Sequence, residues 1–180
     1  KNVFADKGEL NQLGKQFTAG LQKRMGEAAL CGAYTVNAYR RRQPYTFCPV
    51  NTSWGYDNRT VALRIIQGSD TAVRVEKRDA GADANPYLLM ATDIAAGLDG
   101  IEQGMEPTEP TTGNAYEEFN GDAIPTDLRD AIALARGSDW LKEVMGDLLW
   151  EQYCQMAERE LEFFGQQVTQ VETDRYLRSL

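Results

Sequence analysis

The sequence predicts an α+β domain, a curved and mostly antiparallel sheet flanked by helices. Two neighbouring stretches alternate apolar and charged residues at the two-residue period of a strand. A short turn joins them, which makes an antiparallel hairpin rather than a crossover. On both sides of the hairpin, apolar residues recur at three- and four-residue steps, the period of a helix.

The first helix is expected over roughly residues 9–30, where Leu10, Leu13, Phe17, Leu21 and Met25 form one apolar stripe. Asn51 to Gly55 is turn-rich. From Thr60 to Ile66, Val61, Leu63 and Ile65 share a face and Arg64 lies on the other. The turn Gln67-Gly68-Ser69-Asp70 leads into Thr71 to Arg78, where Val73 and Val75 oppose Arg74, Glu76 and Arg78. Asn85-Pro86 starts the next helix, with Asn as the cap and Pro in the first turn, and Leu88, Met90, Ile94 and Leu98 carry it to about Gly104. Met105 to Pro125 holds three of the six prolines and reads as an exposed loop. Short helices follow over Asp127 to Ala135 and Asp139 to Met145, split at Gly137-Ser138. The stripe from Tyr153 through Ala157, Leu161, Phe164 and Val168 to Val171 predicts one long terminal helix.

Composition narrows the chemistry. The 180 residues suit one domain, and no apolar run approaches the ~20 residues that cross a membrane. Cys31, Cys48 and Cys154 are odd in number and irregular in spacing, so neither a disulfide framework nor a zinc site is indicated; a reducing, cytoplasmic setting is expected. There is no histidine, which excludes a self-contained Ser-His-Asp or Cys-His site. Lys1-Asn2-Val3-Phe4-Ala5-Asp6 has neither an initiator Met nor a signal-peptide pattern and reads as the interior of a longer protein.

Charge is unevenly spread. Between Arg40 and Arg78 there are eight basic and three acidic residues, inside a chain whose formal net charge is −8. A cationic island in an acidic protein indicates a local anion site rather than a nucleic-acid footprint. Seven of the eight bases are arginine, which grips phosphate and carboxylate in bidentate fashion. In Arg74-Val75-Glu76-Lys77-Arg78, residues two apart share a strand face, so Glu76 is expected between two guanidiniums. One reading is a surface ion-pair ladder; the other is a metal-binding carboxylate between two anion grips.

Several ordered blocks resemble the glutamine synthetase family. Thr35-Val36-Asn37-Ala38-Tyr39-Arg40-Arg41 is similar to its T-V-N-S-Y-K-R segment. Asn51-Thr52-Ser53-Trp54-Gly55-Tyr56-Asp57-Asn58-Arg59-Thr60, with Arg64-Ile65 after it, resembles N-x-S-W-G-x-x-N-R-S-x-x-x-R-I. Arg74 to Arg78 resembles R-I-E-x-R; Ala84-Asn85-Pro86-Tyr87-Leu88 and Ala95 to Ile101 resemble A-N-P-Y-L and A-A-G-L-D-G-I.

The resemblance implies the C-terminal part of a catalytic domain that uses ATP and Mg²⁺ (or Mn²⁺) to phosphorylate the glutamate γ-carboxylate before an amine displaces phosphate. It assigns the glutamate α-carboxylate to Arg41, the substrate or acyl phosphate to Arg78, and the ATP phosphates to Arg59 and Arg64. Arg74 would lie at the nucleotide, and Glu76 would be a metal ligand. Partners implied are glutamate, an amine and further subunits in a dodecameric ring, with neither nucleic acid nor membrane.

Two departures qualify this. The family's loop P-G-x-E-A-P carries a glutamate that attends ammonium; here the run is Pro44-Tyr45-Thr46-Phe47-Cys48-Pro49, and Phe47 takes that place. A phenyl ring neither holds a cation by full charge nor accepts a proton, but it packs on the organic part of a larger amine. The intact run from Ser53 to Arg64 resembles the γ-glutamylpolyamine synthetase, or glutamate–amine ligase, branch more closely than the ammonia-using enzymes, with an ammonia-using glutamine synthetase and a non-catalytic homologue as alternatives. The family's H-x-H motif and its other metal-binding glutamates are not present, so the chain is expected not to catalyse alone. Tyr116 falls near a tyrosine that some bacterial relatives adenylylate, in a different local context. Trp54 and Tyr87 read as packing residues.

Overall fold

A computed structural model describes residues 1–179. The chain opens with a hairpin the periodicity did not reveal, β1 (Ala5–Asp6) and β2 (Glu9–Leu10), paired antiparallel. Lys7 and Gly8, both at positive φ (52° and 79°), form the two-residue turn whose twist suits such strands. The first predicted helix is shorter than expected. It runs as α1 (Gln12–Arg24), with the Asn11 side chain capping Gly14 N–H at 3.0 Å, and the rest becomes the separate turn of helix α2 (Ala29–Gly32). Thr35 then caps α3 (Val36–Arg40).

The main sheet has three strands in the order β3 (Trp54–Tyr56), β4 (Leu63–Ile66), β5 (Arg74–Lys77). The expected hairpin is β4–β5, with Leu63 opposite Lys77 and Arg64 opposite Glu76. β3 comes from the segment read as a turn and pairs with β4 in parallel, so two of the three strand pairs in the described residues are antiparallel. Leu63 and Ile65 face a core shared with Leu21, Met25, Trp54, Val73 and Ile124. The opposite face is left to Arg64 and Glu76.

Asn85 caps α4 (Pro86–Glu102) through Tyr87 N–H at 3.0 Å, with Pro86 in the first turn as predicted. α1 and α4 cross in backbone contact: a Cβ on Gly20 would lie 2.0 Å from the Ala96 carbonyl oxygen, and one on Gly100 would lie 2.2 Å from that of Gln16. Residues 105–125 form an irregular, largely exposed loop as expected, but one tied to the sheet. Trp54 Nε1 donates to the Thr108 carbonyl (2.6 Å), Thr111 N–H to the Trp54 carbonyl (2.8 Å) and Asn51 Nδ2 to the Ala115 carbonyl (2.7 Å). Thr111, Ala115 and Ile124 are buried. An isolated antiparallel bridge between Asn51 and Ala123 is the nearest this segment comes to a ladder, and side chains and strand edges satisfy further backbone groups.

α5 (Leu128–Arg136) and α6 (Asp139–Met145) are capped by Asp127 and Ser138. The terminal stripe folds as two helices, α7 (Asp147–Gly165) and α8 (Gln170–Leu177). The break is set by Thr169, whose hydroxyl caps Glu172 N–H while Glu172 accepts from Thr169 N–H, a reciprocal pair that starts a new helix. Leu30, Tyr39, Leu128, Leu141 and Cys154 anchor a second core between α2, α5 and α7.

Candidate functional site

The polar face of β4–β5 and the loop over residues 43–49 enclose an open cavity of about 350 Å³ lined by Phe47, Arg59, Arg64, Glu76 and Arg78. Larger clefts exist; one of about 580 Å³ lies between α1 and residues 105–122 and mixes Lys23 with Glu106 and Asp122. The smaller cavity is the candidate site because three guanidiniums and one carboxylate converge there.

Glu76 sits at the centre. Arg78 Nη1 donates to Oε1 at 2.8 Å, and Arg64 Nη1 reaches Oε2 at 3.4 Å. The bond from Arg78 holds the Glu76 carboxyl below the usual carboxylate range against the opposing effect of burial, and the positive charges of Arg64, Arg78 and Arg59 add to it. The expected partner on the other side, Arg74, is not there. It is exposed, and its Nη1 donates to the Ala72 carbonyl at 2.9 Å. Arg64, directly opposite Glu76 across β4–β5, takes that place instead.

Arg78 also organises the loop. Its Nη2 donates to the carbonyls of Phe47 (3.0 Å) and Arg59 (2.9 Å), tying the loop and the β3–β4 connection to β5. Phe47 is 66% exposed and has φ 59°, a conformation that costs a bulky side chain energy. Arg64 is shared with Asp57 at 2.8 Å. Arg41 is not in the cavity lining; its Nη2 donates to the Asp79 carbonyl, just beyond Arg78. The buried Nε atoms of Arg41, Arg64 and Arg78 have no hydrogen-bond partner among the described residues.

The cationic island thus divides. Arg42, counted with the anion grips, is buried, donates to the Pro125 carbonyl at 2.7 Å and stacks on Tyr39. Lys77 points to the opposite side of β5, 2.8 Å from Asp79 Oδ1 and 3.1 Å from Asp93 Oδ1 on α4. This buried ion group was missed because its carboxylates come from beyond the strand. Burial favours the neutral forms, but the paired charges prevail: Lys77 is raised and Asp79 lowered from their ordinary values. Trp54 is buried as expected, whereas Tyr87 is 83% exposed and does not pack. The Tyr116 hydroxyl donates to the Cys48 carbonyl at 3.0 Å.

Residues 1–176 match the family model described as glutamine synthetase, catalytic domain. The chain belongs to the glutamine synthetase catalytic-domain family. Among its relatives, the γ-glutamylethanolamide synthetase of Streptomyces coelicolor is 41% identical over 97% of this chain and 37% of its own. The γ-glutamylputrescine synthetase of Escherichia coli is 37% identical over 99% of this chain and 38% of its own. A solved structure titled as the GmaS/ADP complex superposes with a TM-score of 0.86 at 26% identity, over 99% of this chain and 43% of that one. The chain therefore spans about two fifths of the length of these relatives.

No described helix is long and apolar enough to cross a membrane. Among the described residues no group of three or more His, Cys, Asp or Glu could hold a metal ion.

Proposed function

We propose that this chain is the C-terminal part of an ATP-dependent ligase that phosphorylates the glutamate γ-carboxylate and joins it to an organic amine. The observation that carries this reading is Phe47 at the rim of a cavity holding Arg59, Arg64 and Arg78, with Arg78 bound to the Phe47 carbonyl. Phosphoryl transfer needs spread positive charge fixed in place, and β4–β5 supplies it on a paired sheet. Arg59 and Arg64 neutralise the ATP phosphates, Arg78 stabilises the acyl phosphate, Arg41 holds the glutamate α-carboxylate, and Arg74 meets the nucleotide from outside the cavity. The family membership and the likeness to an ADP-bound neighbour support a nucleotide substrate.

A magnesium or manganese ion would supply charge neutralisation at the transferring phosphoryl group. Glu76 is able to act as one ligand, but both its oxygens face arginines, and among the described residues it belongs to no group of three potential ligands. These residues alone do not fit the ion, and the remaining ligands belong to the rest of the complete protein. That protein is expected to be cytoplasmic and to assemble as a dodecameric ring.

Phe47 is the residue that bears on the amine. Its ring offers apolar surface, worth about 0.8 kcal/mol for each methylene buried, where a glutamate would offer charge. In the complete enzyme, Phe47→Glu should lower kcat/KM for an organic amine and raise it for ammonia, so that their ratio falls by an order of magnitude. A native enzyme that already prefers ammonia would show the glutamine synthetase reading to be the right one.

A further inference from the structure

β5 runs out into a buried carboxylate that serves two sides. Asp79 is 1% exposed, and its two carboxylate oxygens lie 2.8 and 3.1 Å from Lys77 Nζ. Lys77 is shared with Asp93 on α4, so the ion group ties the end of the strand to the helix behind it. The Asp79 carbonyl accepts from two guanidiniums, through Arg41 Nη2 and, at 3.3 Å, Arg42 Nη2. Arg42 has a second anchor in the Pro125 carbonyl. Arg41 has none: among the described residues its guanidinium donates to no other acceptor and pairs with no carboxylate. Asp79 also stands where the chain leaves the sheet. Arg78 N–H donates to the Ala62 carbonyl at 3.0 Å, and the next backbone tie is Gly81 N–H to the Gly32 carbonyl at 2.8 Å. Between those ties the Asp79 peptide is held through its side chain. One methylene joins that side chain to the backbone, so clamping the carboxylate restricts the carbonyl.

We propose that Asp79 is a positioning residue for Arg41: Lys77 clamps its carboxylate, the clamp aims its carbonyl, and the carbonyl presents Arg41 to the α-carboxylate of glutamate. This rests on the reading of Arg41 given above and deepens it. A guanidinium held by a neutral carbonyl keeps its charge uncompensated for an incoming carboxylate, which a carboxylate partner would not allow. The accuracy of the grip then depends on the one acceptor that fixes it, and such a grip weakens steeply when it is misaimed. The need for a neutral partner accounts for a backbone atom as the anchor. The buried charges behind it keep that atom in place.

The test compares two neutral variants of the complete enzyme, Asp79→Asn and Asp93→Asn. Each removes one negative charge from the same ion group, but only the first lies on the peptide that holds Arg41. Asp79→Asn should raise KM for glutamate roughly tenfold, the loss of one well-aimed charged hydrogen bond, with kcat and KM for ATP within about twofold of native. Asp93→Asn leaves Lys77 to Asp79 and should keep KM for glutamate within about twofold of native. Arg41→Ala should raise KM for glutamate at least as far, and adding Asp79→Asn to it should change nothing more, because the two act on one contact. If Asp79→Asn does not fold, Lys77→Met/Asp79→Leu replaces the buried pair with apolar side chains and is read by the same criteria. Four results would make Asp79 a purely structural residue and overturn the proposal while leaving the reading of Arg41 intact. They are native KM for glutamate in Asp79→Asn, an equal rise in Asp93→Asn, effects of Asp79→Asn and Arg41→Ala that add, and failure of both Asp79 variants to fold. An Arg41→Ala enzyme with native KM for glutamate would overturn the reading of Arg41 itself, and this inference with it.

Discussion

Glu76 shows how much a single residue's role depends on its neighbours across the sheet. The sequence pattern identifies it as a carboxylate among guanidiniums, and that holds. It names Arg74 as one flank, because same-strand spacing is visible in sequence and cross-strand register is not. The register puts Arg64 opposite Glu76 and leaves Arg74 at the far end of β5. Arg78 is the more consequential residue, since it binds Glu76, the Phe47 carbonyl and the Arg59 carbonyl at once. Arg78→Ala in the complete enzyme should lower kcat by about 10²–10³, the usual loss when one preorganised donor is removed from developing negative charge. Arg74→Ala should cost far less, because its guanidinium lies outside the cavity. Steady-state rates with circular dichroism as a folding control check this, and a well-folded Arg78→Ala enzyme of near-native activity would refute the assignment.

At the scale of elements, helices with a strong stripe and a cap residue were legible: Asn85-Pro86 and the Gly137-Ser138 break fall where predicted. The missed features depend on partners distant in sequence. β3 exists because β4 offers it an edge, and residues 105–125 are held by Trp54, Asn51 and Gln22. The tie between β5 and α4 is of the same kind. Lys77 joins Asp79 and Asp93 in the interior, which fixes the strand carrying Glu76 and Arg78 against the helix behind it. Lys77→Met removes one charge and strands two carboxylates, a change that costs about 3–5 kcal/mol when a buried pair is broken. The sign of its pH dependence follows from the shifts. In the native protein Asp79 is lowered, so its contribution is present above the ordinary carboxylate pKa and is lost as pH falls through its folded value. Asp93, raised by burial, works in the opposite sense and reduces the net slope. In the variant, burial acts on both carboxylates without the ammonium, so both are pushed up and the variant gains relative stability on acidification. The gap in denaturation midpoint between native and Lys77→Met proteins should therefore be wide at pH 7 and narrow at pH 4. An equal gap at both pH values would mean that lost packing, not charge, explains the defect.

The whole molecule is organised around two cores; α7 joins one of them as far as Leu161, and the segment beyond it, α8 included, joins neither. α8 has no buried residue, and beyond Leu161 the α7–α8 segment exposes Phe163, Val168, Val171 and Leu177, with Val168 82% and Leu177 71% accessible. Its apolar stripe was plain in the sequence. What the stripe faces was not, because periodicity reports that a face is apolar and says nothing of what covers it. A capping box at Thr169 shows that α8 is a helix with its own start, not a frayed end of α7. A preformed helix that exposes Val171, Tyr176 and Leu177 fits an assembly in which subunits of the complete protein pack this segment against each other. Sedimentation should then show the complete protein as a large closed oligomer. Replacing Val168, Val171 and Leu177 together with serine should shift it to smaller species while circular dichroism changes little, because none of the three contributes to either core. Should the triple variant sediment with the native protein, the stripe does not hold subunits together, and any ring must close through other surfaces.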